Sequence, residues 1–368
     1  MLRTIALVTA LALSGLGVGA GEIQLGLAAK YPGDVGVERD PAVMFHDDFE
    51  TCEPWSKWTK KRYQQFIHVE EDPKVVRGRR SVRMVCTKGK RSGMNIKWMF
   101  PEPRDEVYMR HYARYGPDFG YLHHGGSSFQ GFVKGRPHPG GGAGICPNGD
   151  KYFWSTFEPD GRWGKYKPPG NFIFYTYWWK MKIGWRNKYW GNHFTPTTQI
   201  NPRTEKWICL EWRVKVNAPG QPDGELDCWA NGVKCGEFRE INWRRGADVR
   251  INSVALSHYM EEKDYKPEWG NTRTLWYDDV IVATKYIGPL VMERPKAKEA
   301  PAAVLIEPKI TEHEAKRAIE EKEAGRLFNM ARQAERMGQR DVGRKLYQQI
   351  VEKFPKTEIA ERARAKLE

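Results

Sequence analysis

The stretch that decides the fold is residues 207–232, which read WICLEWRVKVNAPGQPDGELDCWANG. Apolar and charged side chains alternate over residues 212–216, and this period of two predicts a strand with one buried face. Turn-forming residues at 217–224 end that strand, and the next short run leads to Asn231-Gly232, a strong signal for a two-residue hairpin turn. The stretch therefore predicts consecutive antiparallel strands.

The same kind of pattern extends over residues 41–290. Residues 106–114 alternate with a period of two, residues 275–286 read as a last strand, and Gly, Pro and Asn separate the short runs. No helical period of useful length interrupts them. We therefore predict an all-β antiparallel sandwich.

The two ends of the chain differ from this region. Residues 1–20 have a basic start, an apolar run and small residues before Gly21, which predicts a secretory signal peptide and an exported protein. Residues 291–310 have the composition of a linker, and residues 311–368 change to a helical period. This tail resembles a tetratricopeptide-type repeat, too short for a solenoid, so we expect it to dock on the sandwich or on a protein partner; coiled-coil assembly is the alternative.

Charge and aromatic content suggest a ligand class. Residues 1–290 carry 42 Lys/Arg and 32 Asp/Glu, and residues 172–190 read FIFYTYWWKMKIGWRNKYW, with nine aromatic rings among four basic side chains. Rings stack on sugars, and ammonium and guanidinium groups bind carboxylate or sulfate. In an exported protein this favours an anionic polysaccharide over nucleic acid. No stretch after the signal is apolar enough to span a membrane.

Several segments together resemble one enzyme family. They are Trp212-x-Val214-x-Val216-Asn-x-Pro219-Gly-x-x-Asp223-Gly-x-Leu226-x-x-Trp229-x-Asn231-Gly, then Ser253-Val-Ala-Leu-Ser257 and Trp276-Tyr-Asp-Asp279. The pattern is similar to concanavalin-A-like jelly-roll polysaccharide lyases, of the type that includes family-fourteen alginate lyases and glucuronan lyases. The resemblance implies a concanavalin-A-like β-sandwich (jelly roll) over residues 41–290, whose first and last strands are neighbours.

The resemblance also implies a reaction and residues for it. Such lyases cleave uronate chains by β-elimination, which needs a neutralised carboxylate, a base for the C5 proton and an acid for the leaving oxygen. The family's Tyr-x-Tyr strand matches Tyr175 and Tyr177, and its upstream lysine matches Lys134, as carboxylate neutraliser. Glucuronan-type relatives use a histidine, which points to His124 as an auxiliary base. No cofactor is required.

Tyrosine is a poor base at its usual pKa near 10, so nearby cations would have to favour phenolate. Lys134, Arg162 or Lys180 could supply that field. Basic and aromatic positions around the expected groove are predicted to bind substrate: His123, Arg110, Arg162, Trp178, Lys180 and Trp185.

Two structural sites are also predicted. Asp48 and Asp279 lie on the neighbouring terminal strands and could hold a structural calcium ion, although exposed edge carboxylates are the alternative. Counting outward from the Asn231-Gly232 turn pairs Cys228 with Cys235, within reach of a disulfide. Two free buried thiols remain the alternative.

Other functions are compatible with the same fold. A retaining hydrolase of this fold needs a further acid after Glu225-Leu-Asp227, where Trp229 and Ala230 stand instead, so that class is disfavoured. A non-catalytic carbohydrate-binding or cell-surface protein would use the same groove without cleaving the chain. The sequence therefore predicts a lyase, with a binding protein as the alternative.

Overall fold

The computed structural model describes residues 22–51, 56–62, 64–72, 74–90, 93–120, 124–135, 142–260, 270–292, 312–336 and 340–367. These residues fall in two compact units, one within residues 1–295 and the other within residues 296–368. The predicted signal peptide and most of the predicted linker lie outside the described residues.

The larger unit is built from β-strands, fifteen of them within the described residues. They are β1 Val43–Asp47, β2 Lys60–Arg62, β3 Ile67–Glu71, β4 Arg80–Thr87, β5 Met94–Arg104, β6 Glu106–Tyr115, β7 Gly125–Val133, β8 Tyr152–Asp160, β9 Asn171–Tyr177, β10 Asn192–Phe194, β11 Trp207–Lys215, β12 Gly224–Ala230, β13 Val233–Ile241, β14 Val249–His258 and β15 Thr272–Ala283.

The strands form two antiparallel sheets packed face to face. One sheet has the order β13-β12-β11-β6-β15-β4-β3, with β1 also paired to β15, and the other has the order β10-β9-β8-β7-β14-β5-β2. The first and last strands of the chain, β1 and β15, are neighbours in the first sheet, since Phe45 lies opposite Val282 and Asp47 opposite Val280. The predicted all-β jelly-roll sandwich is confirmed.

Trp212 on β11 packs against side chains of the facing sheet. It is fully buried, and its ring lies 4.3 Å from that of Phe129 on β7 and 5.3 Å from that of Phe174 on β9, between centroids. Its indole Nε1 donates a hydrogen bond to Ser127 Oγ at 2.9 Å, so the polar edge of the ring is satisfied inside the core. One side chain therefore contacts the strands that carry the site described below.

The outer face of the first sheet is also covered. Residues 22–40 fold into short 3₁₀ turns whose Leu27 and Val37 pack with Ile281 and Ile287. Strand β6 is consequently buried on both faces, whereas its alternating sequence alone indicates a half-buried strand.

The predicted hairpin forms, but the predicted disulfide does not. Asn231 and Gly232 have φ angles of 48° and 79°, as a two-residue hairpin turn with left-handed residues requires. A bulge after Cys228 places Gly236 opposite it, and Cys228 and Cys235 are free thiols. The single extra residue shifts the register, which corrects the pairing counted from the turn.

The smaller unit consists of helices α1 Glu312–Arg336, α2 Arg340–Lys353 and α3 Glu358–Arg364. Phe328, Ala331, Tyr347 and Ile350 are among the residues of its own apolar core. Thr357 caps α3 by accepting a hydrogen bond from the Ala360 amide. A helical tail is confirmed, while its likeness to a tetratricopeptide repeat remains a prediction. Among the helices described, none combines the length and apolar character of a membrane-spanning segment.

We expect Trp212→Ala to destabilise the protein by about 3–5 kcal/mol, because it empties the space between the sheets and leaves Ser127 without its donor. Denaturant unfolding monitored by circular dichroism measures the change. Trp185→Ala removes an indole that is 68% exposed and should change the unfolding free energy by less than about 0.5 kcal/mol. Equal effects of the two substitutions would contradict the role given to Trp212.

Candidate functional site

The candidate site lies on the face of β9 that points away from the core. Phe172 and Phe174 enter the core, whereas Tyr175 and Tyr177 project together from the opposite face. Their hydroxyl oxygens are 3.4 Å apart, within hydrogen-bond range. Trp154 on β8 lies directly opposite Tyr177, and the two rings stack at 4.8 Å and 10°. The sheet therefore holds the two phenols against an indole.

Two histidines approach Tyr175 from different strands. His193 on β10 is its direct cross-strand partner, and the ring centroids are 5.7 Å apart. His124 precedes β7, and its ring lies 5.5 Å from that of Tyr175 and 5.4 Å from that of Tyr259. Tyr175 thus lies between two imidazoles.

Each imidazole has a carboxylate beside it. Glu158 Oε1 lies 3.5 Å from His124 Nδ1, and Asp160 Oδ2 lies 3.8 Å from His193 Nδ1. Both acids come from β8, where positions 158 and 160 share the face of Trp154. The Glu158 side chain is only 1% exposed, so its charge acts in a poorly screened environment. A proton taken up by either imidazole would be stabilised.

Burial sets the protonation of the tyrosines. It raises the pKa of Tyr175 above its usual value, and the hydrogen bond with Tyr177 opposes that rise without cancelling it. Burial raises the pKa of Tyr177 still further, and there the hydrogen bond with Tyr175 adds to the rise. Both phenols are therefore neutral near pH 7, and the expectation that cations favour phenolate is wrong. Neutral phenols are proton donors.

Arg162 is the cation found next to this cluster. Its Nε lies 3.7 Å from Asp160 Oδ2, on the side of His193, and its side chain is 48% exposed. Its role in substrate binding stays a prediction, for which a guanidinium is suited because it binds carboxylates.

Lys134 is not part of the cluster. It follows the last residue of the nine-residue strand β7, whereas His124 precedes the first. At about 3.3 Å per residue Lys134 lies roughly 30 Å from His124 along the strand, and roughly 13 Å beyond Gln130, which is level with Trp154 and Tyr177. Lys134 Nζ instead forms an exposed ion pair with Glu102 at 2.8 Å. Lys134 therefore cannot neutralise a substrate carboxylate held at the cluster, which corrects its predicted role. The residue lies at the end of β7 that is farther from His124.

Arg110 is not available to a substrate either. The side chain is completely buried on the outer face of the other sheet, where it forms a salt bridge with Asp34 and donates to the carbonyl of Gly288 at 3.3 Å. The segment at residues 22–40 covers it. The predicted substrate contact is thus replaced by a structural ion pair.

The proposed calcium position is occupied by a side chain. Arg77 donates to Asp48 Oδ2 at 3.1 Å and to Asp279 Oδ1 at 3.1 and 3.2 Å. Its guanidinium bridges the two carboxylates that were expected to bind calcium, which corrects that prediction. Across the described ranges, no group of three or more His, Cys, Asp or Glu residues is arranged to hold a metal ion.

The aromatic segment after β9 divides into buried and exposed parts. Trp178 is partly buried against Phe194, and Lys180 lies over the Trp179 ring at 4.2 Å from its centroid. Trp185 is exposed, with the Arg186 guanidinium over its ring. Substrate contacts of Trp178, Lys180 and Trp185 stay predictions, and His123 lies outside the described residues.

Comparison with known proteins supports the fold. No protein-family model matches the chain, and neither does any curated protein sequence. Among solved structures, an alginate lyase from a Chlorella virus superposes with a TM-score of 0.50 at 15% identity, over 66% of this chain and 99% of that one. The two proteins share the jelly-roll sandwich fold.

Two further solved structures match with lower TM-scores. A marine alginate lyase from Aplysia kurodai gives a TM-score of 0.47 at 13% identity, over 66% of this chain and 97% of that one. An endo-β-1,4-glucuronan lyase from the fungus Trichoderma reesei gives 0.45 at 17% identity, over 68% of this chain and 98% of that one.

Sequence reasoning missed four residues of the cluster: Trp154, Glu158, Asp160 and His193. A signal was present for three of them, since residues 152–160 alternate as a strand with Trp154, Glu158 and Asp160 on one face. His193 carries no such signal. Its position depends on the pairing of the three-residue strand β10 with β9.

We expect Arg77→Ala to lower the unfolding free energy by about 2–4 kcal/mol, because it leaves the fully buried Asp279 without its counter-ion. Adding calcium or a chelator to the wild-type protein should leave its Tm unchanged. Differential scanning calorimetry measures both. A rise in wild-type Tm with calcium would contradict the assignment of Arg77 as the cation of this site.

Proposed function

We propose that the protein is an exported polysaccharide lyase that cleaves an anionic, uronate-containing polysaccharide by β-elimination. The observation that carries this proposal is the position of Tyr175, a neutral phenol between two imidazoles that each adjoin a carboxylate. The jelly-roll fold shared with the viral alginate lyase agrees with it. Such an arrangement would supply the acid and the base that β-elimination needs.

His124 is the proposed base. Glu158 beside it is almost fully buried, so it stabilises the imidazolium more strongly than an exposed acid would. The charge of Asp160, in contrast, is shared between His193 and Arg162. A neutral His124 imidazole takes the C5 proton, and the electrons of that C–H bond form the C4–C5 double bond.

Tyr175 is the proposed acid. The bond from C4 to the glycosidic oxygen breaks as the double bond forms, and the leaving oxygen takes the phenolic proton. The His124 imidazolium then returns a proton to the Tyr175 phenolate, directly or through water, so the site ends in its starting state. Tyr177 acts through its hydrogen bond to Tyr175 and positions it.

Arg162 takes the place that the sequence suggested for Lys134. Its guanidinium would neutralise the C6 carboxylate of the sugar that is cleaved, which acidifies the C5 proton. Trp154, stacked on Tyr177, would supply an apolar surface for a sugar ring.

The remaining parts of the chain complete the proposal. Residues 1–20 would direct export and be removed, residues 41–290 would form the lyase unit, and residues 291–310 would link it to the tail at 311–368. The three helices of that tail have a core of their own, which suits a separate element that binds a protein partner.

The first test is the product. Purified protein mixed with alginate, glucuronan or a sulfated uronan should raise the absorbance at about 235 nm, because elimination conjugates a new double bond with the uronate carboxylate. Binding without any absorbance change across this panel would support the non-catalytic carbohydrate-binding alternative and overturn the lyase.

The second test asks whether Tyr175 and His124 act as the acid and the base. We expect Tyr175→Phe and His124→Gln each to lower kcat about 100-fold or more, because each removes a proton-transfer group. Tyr108→Phe, on the other sheet, is the matched control and should keep wild-type kcat. Turnover unchanged in Tyr175→Phe and His124→Gln would refute both roles.

The third test concerns the carboxylate partner. Arg162→Ala should raise KM for the anionic polymer and lower kcat, whereas Lys134→Ala should leave both values unchanged. Steady-state kinetics at constant ionic strength measures the difference. A larger effect of Lys134→Ala would restore the sequence-based assignment and contradict the one proposed here.

A further inference from the structure

A continuous row of side chains crosses the whole second sheet from the candidate site. Cross-strand pairing runs from His193 and Tyr175 through small side chains on β8, β7 and β14 to Lys97 on β5 and Lys60 on β2. The small residues are Thr156, Ser128 and Ala255. At about 4.8 Å per strand, Tyr175 and Lys97 have Cα atoms roughly 19 Å apart. The cluster therefore lies near one end of a face whose other end is basic.

The ammonium of Lys97 extends back toward the site. Its Nζ donates to Gln130 Oε1 at 2.6 Å, and Ser253 Oγ lies 3.4 Å from the same oxygen. Gln130 is the cross-strand neighbour of Trp154, which in turn is opposite Tyr177. Lys97, Gln130 and Trp154 are all partly exposed. They form an accessible path from the ammonium to the stacked aromatic rings.

Lys97 has an uncharged hydrogen-bond partner, whereas several other lysines pair with a carboxylate. Lys134 pairs with Glu102, Lys215 with Glu225 and Lys74 with Glu205. Within the part of the chain that the structure describes, no carboxylate lies within 4.0 Å of Lys97 Nζ. A half-buried charge without a counter-ion is unfavourable unless a ligand supplies one.

We propose that Lys97, oriented by Gln130 and reinforced by Lys60, is a second anion-binding position of the groove, which holds the carboxylate of a uronate other than the one that is cleaved. This inference rests on the proposed function, because it places the polysaccharide across the strands of the second sheet. Such a position would let the protein distinguish long anionic chains from short ones, which the catalytic cluster by itself would not do.

The charge of Lys97 is sensitive to pH in the range of ordinary assays. Burial, followed by the repulsion from Lys60, lowers the pKa of Lys97 to about 8. The groups that face it are Lys60 from β2, Ser253 and Ala255 from β14, and Ser128 and Gln130 from β7, and of these described residues Lys60 alone is charged. The ammonium is present below pH 8 and is lost above it, so binding of the second carboxylate weakens as the pH rises from 7 to 9. A bound carboxylate raises the pKa and moves this loss upward.

The test compares Lys97→Gln with the matched control Lys134→Gln. For a long anionic polymer at pH 7, Lys97→Gln should raise KM about tenfold with kcat within twofold of wild type. For the shortest oligosaccharide that is still cleaved, KM should be the same as in wild type. Lys134→Gln should match wild type on both substrates. An equal KM for wild type and Lys97→Gln on the long polymer would overturn the second site while leaving the lyase assignment intact.

A second variant guards against a folding defect. Lys97→Arg keeps a cation that does not titrate below pH 9, so its KM should stay constant from pH 7 to 9 while that of the wild type rises. Circular dichroism checks that each variant is folded. Identical pH profiles of KM for Lys97→Arg and wild type would contradict the proposal. An absence of elimination by the wild type itself is a different result and refutes the proposed function.

Discussion

The contact between Trp212 and the facing sheet is the constraint on which the site depends. The indole packs against Phe174, and this contact fixes which face of β9 enters the core. Because successive side chains of a strand point to opposite faces, the same choice fixes Tyr175 and Tyr177 on the face that points away from Trp212. A shift of β9 by one residue would turn the phenols into the space between the sheets and the phenylalanines onto the opposite face. Core packing and site geometry are therefore consequences of one register.

The surroundings of the tyrosines and histidines then influence which of these groups carry a proton. Burial keeps the phenols protonated, while the carboxylates beside the imidazoles favour proton uptake there. Under the proposed function, the protonated phenol serves as the acid and the imidazole beside a carboxylate serves as the base. No residue of the cluster needs an unusual intrinsic property, since position alone assigns the roles.

Local patterns predicted what depends on local structure. The alternation and the turn at residues 207–232 predicted the strands and hairpin. A spacing of two residues along a strand is enough to put Tyr175 and Tyr177 on one face. Lys134 was misplaced because a short motif says nothing about the length of the strand between it and the site. Arg110 was misassigned because a period of two cannot reveal that residues 22–40 cover the outer face.

The pairing of strands that are distant in sequence could not be predicted, for a related reason. His193 reaches Tyr175 only through the register of β10 against β9, and no pattern in residues 192–194 encodes that register. The disulfide prediction failed because it also depended on strand register. One bulged residue between Cys228 and Cys235 shifts the register, so that Cys228 lies opposite Gly236. Strand identity is a local property, whereas register is set by partners elsewhere in the chain.

Arg77 gives the fold an internal counter-ion. A polymer rich in uronate carboxylates offers hard oxygen ligands and competes for divalent cations in its surroundings. A protein whose terminal strands were held by a bound metal would lose that metal to such a polymer. Here the positive charge between Asp48 and Asp279 is covalently part of the chain. Under the proposed function, the contact between the first and last strands would therefore keep its cation inside a chelating matrix.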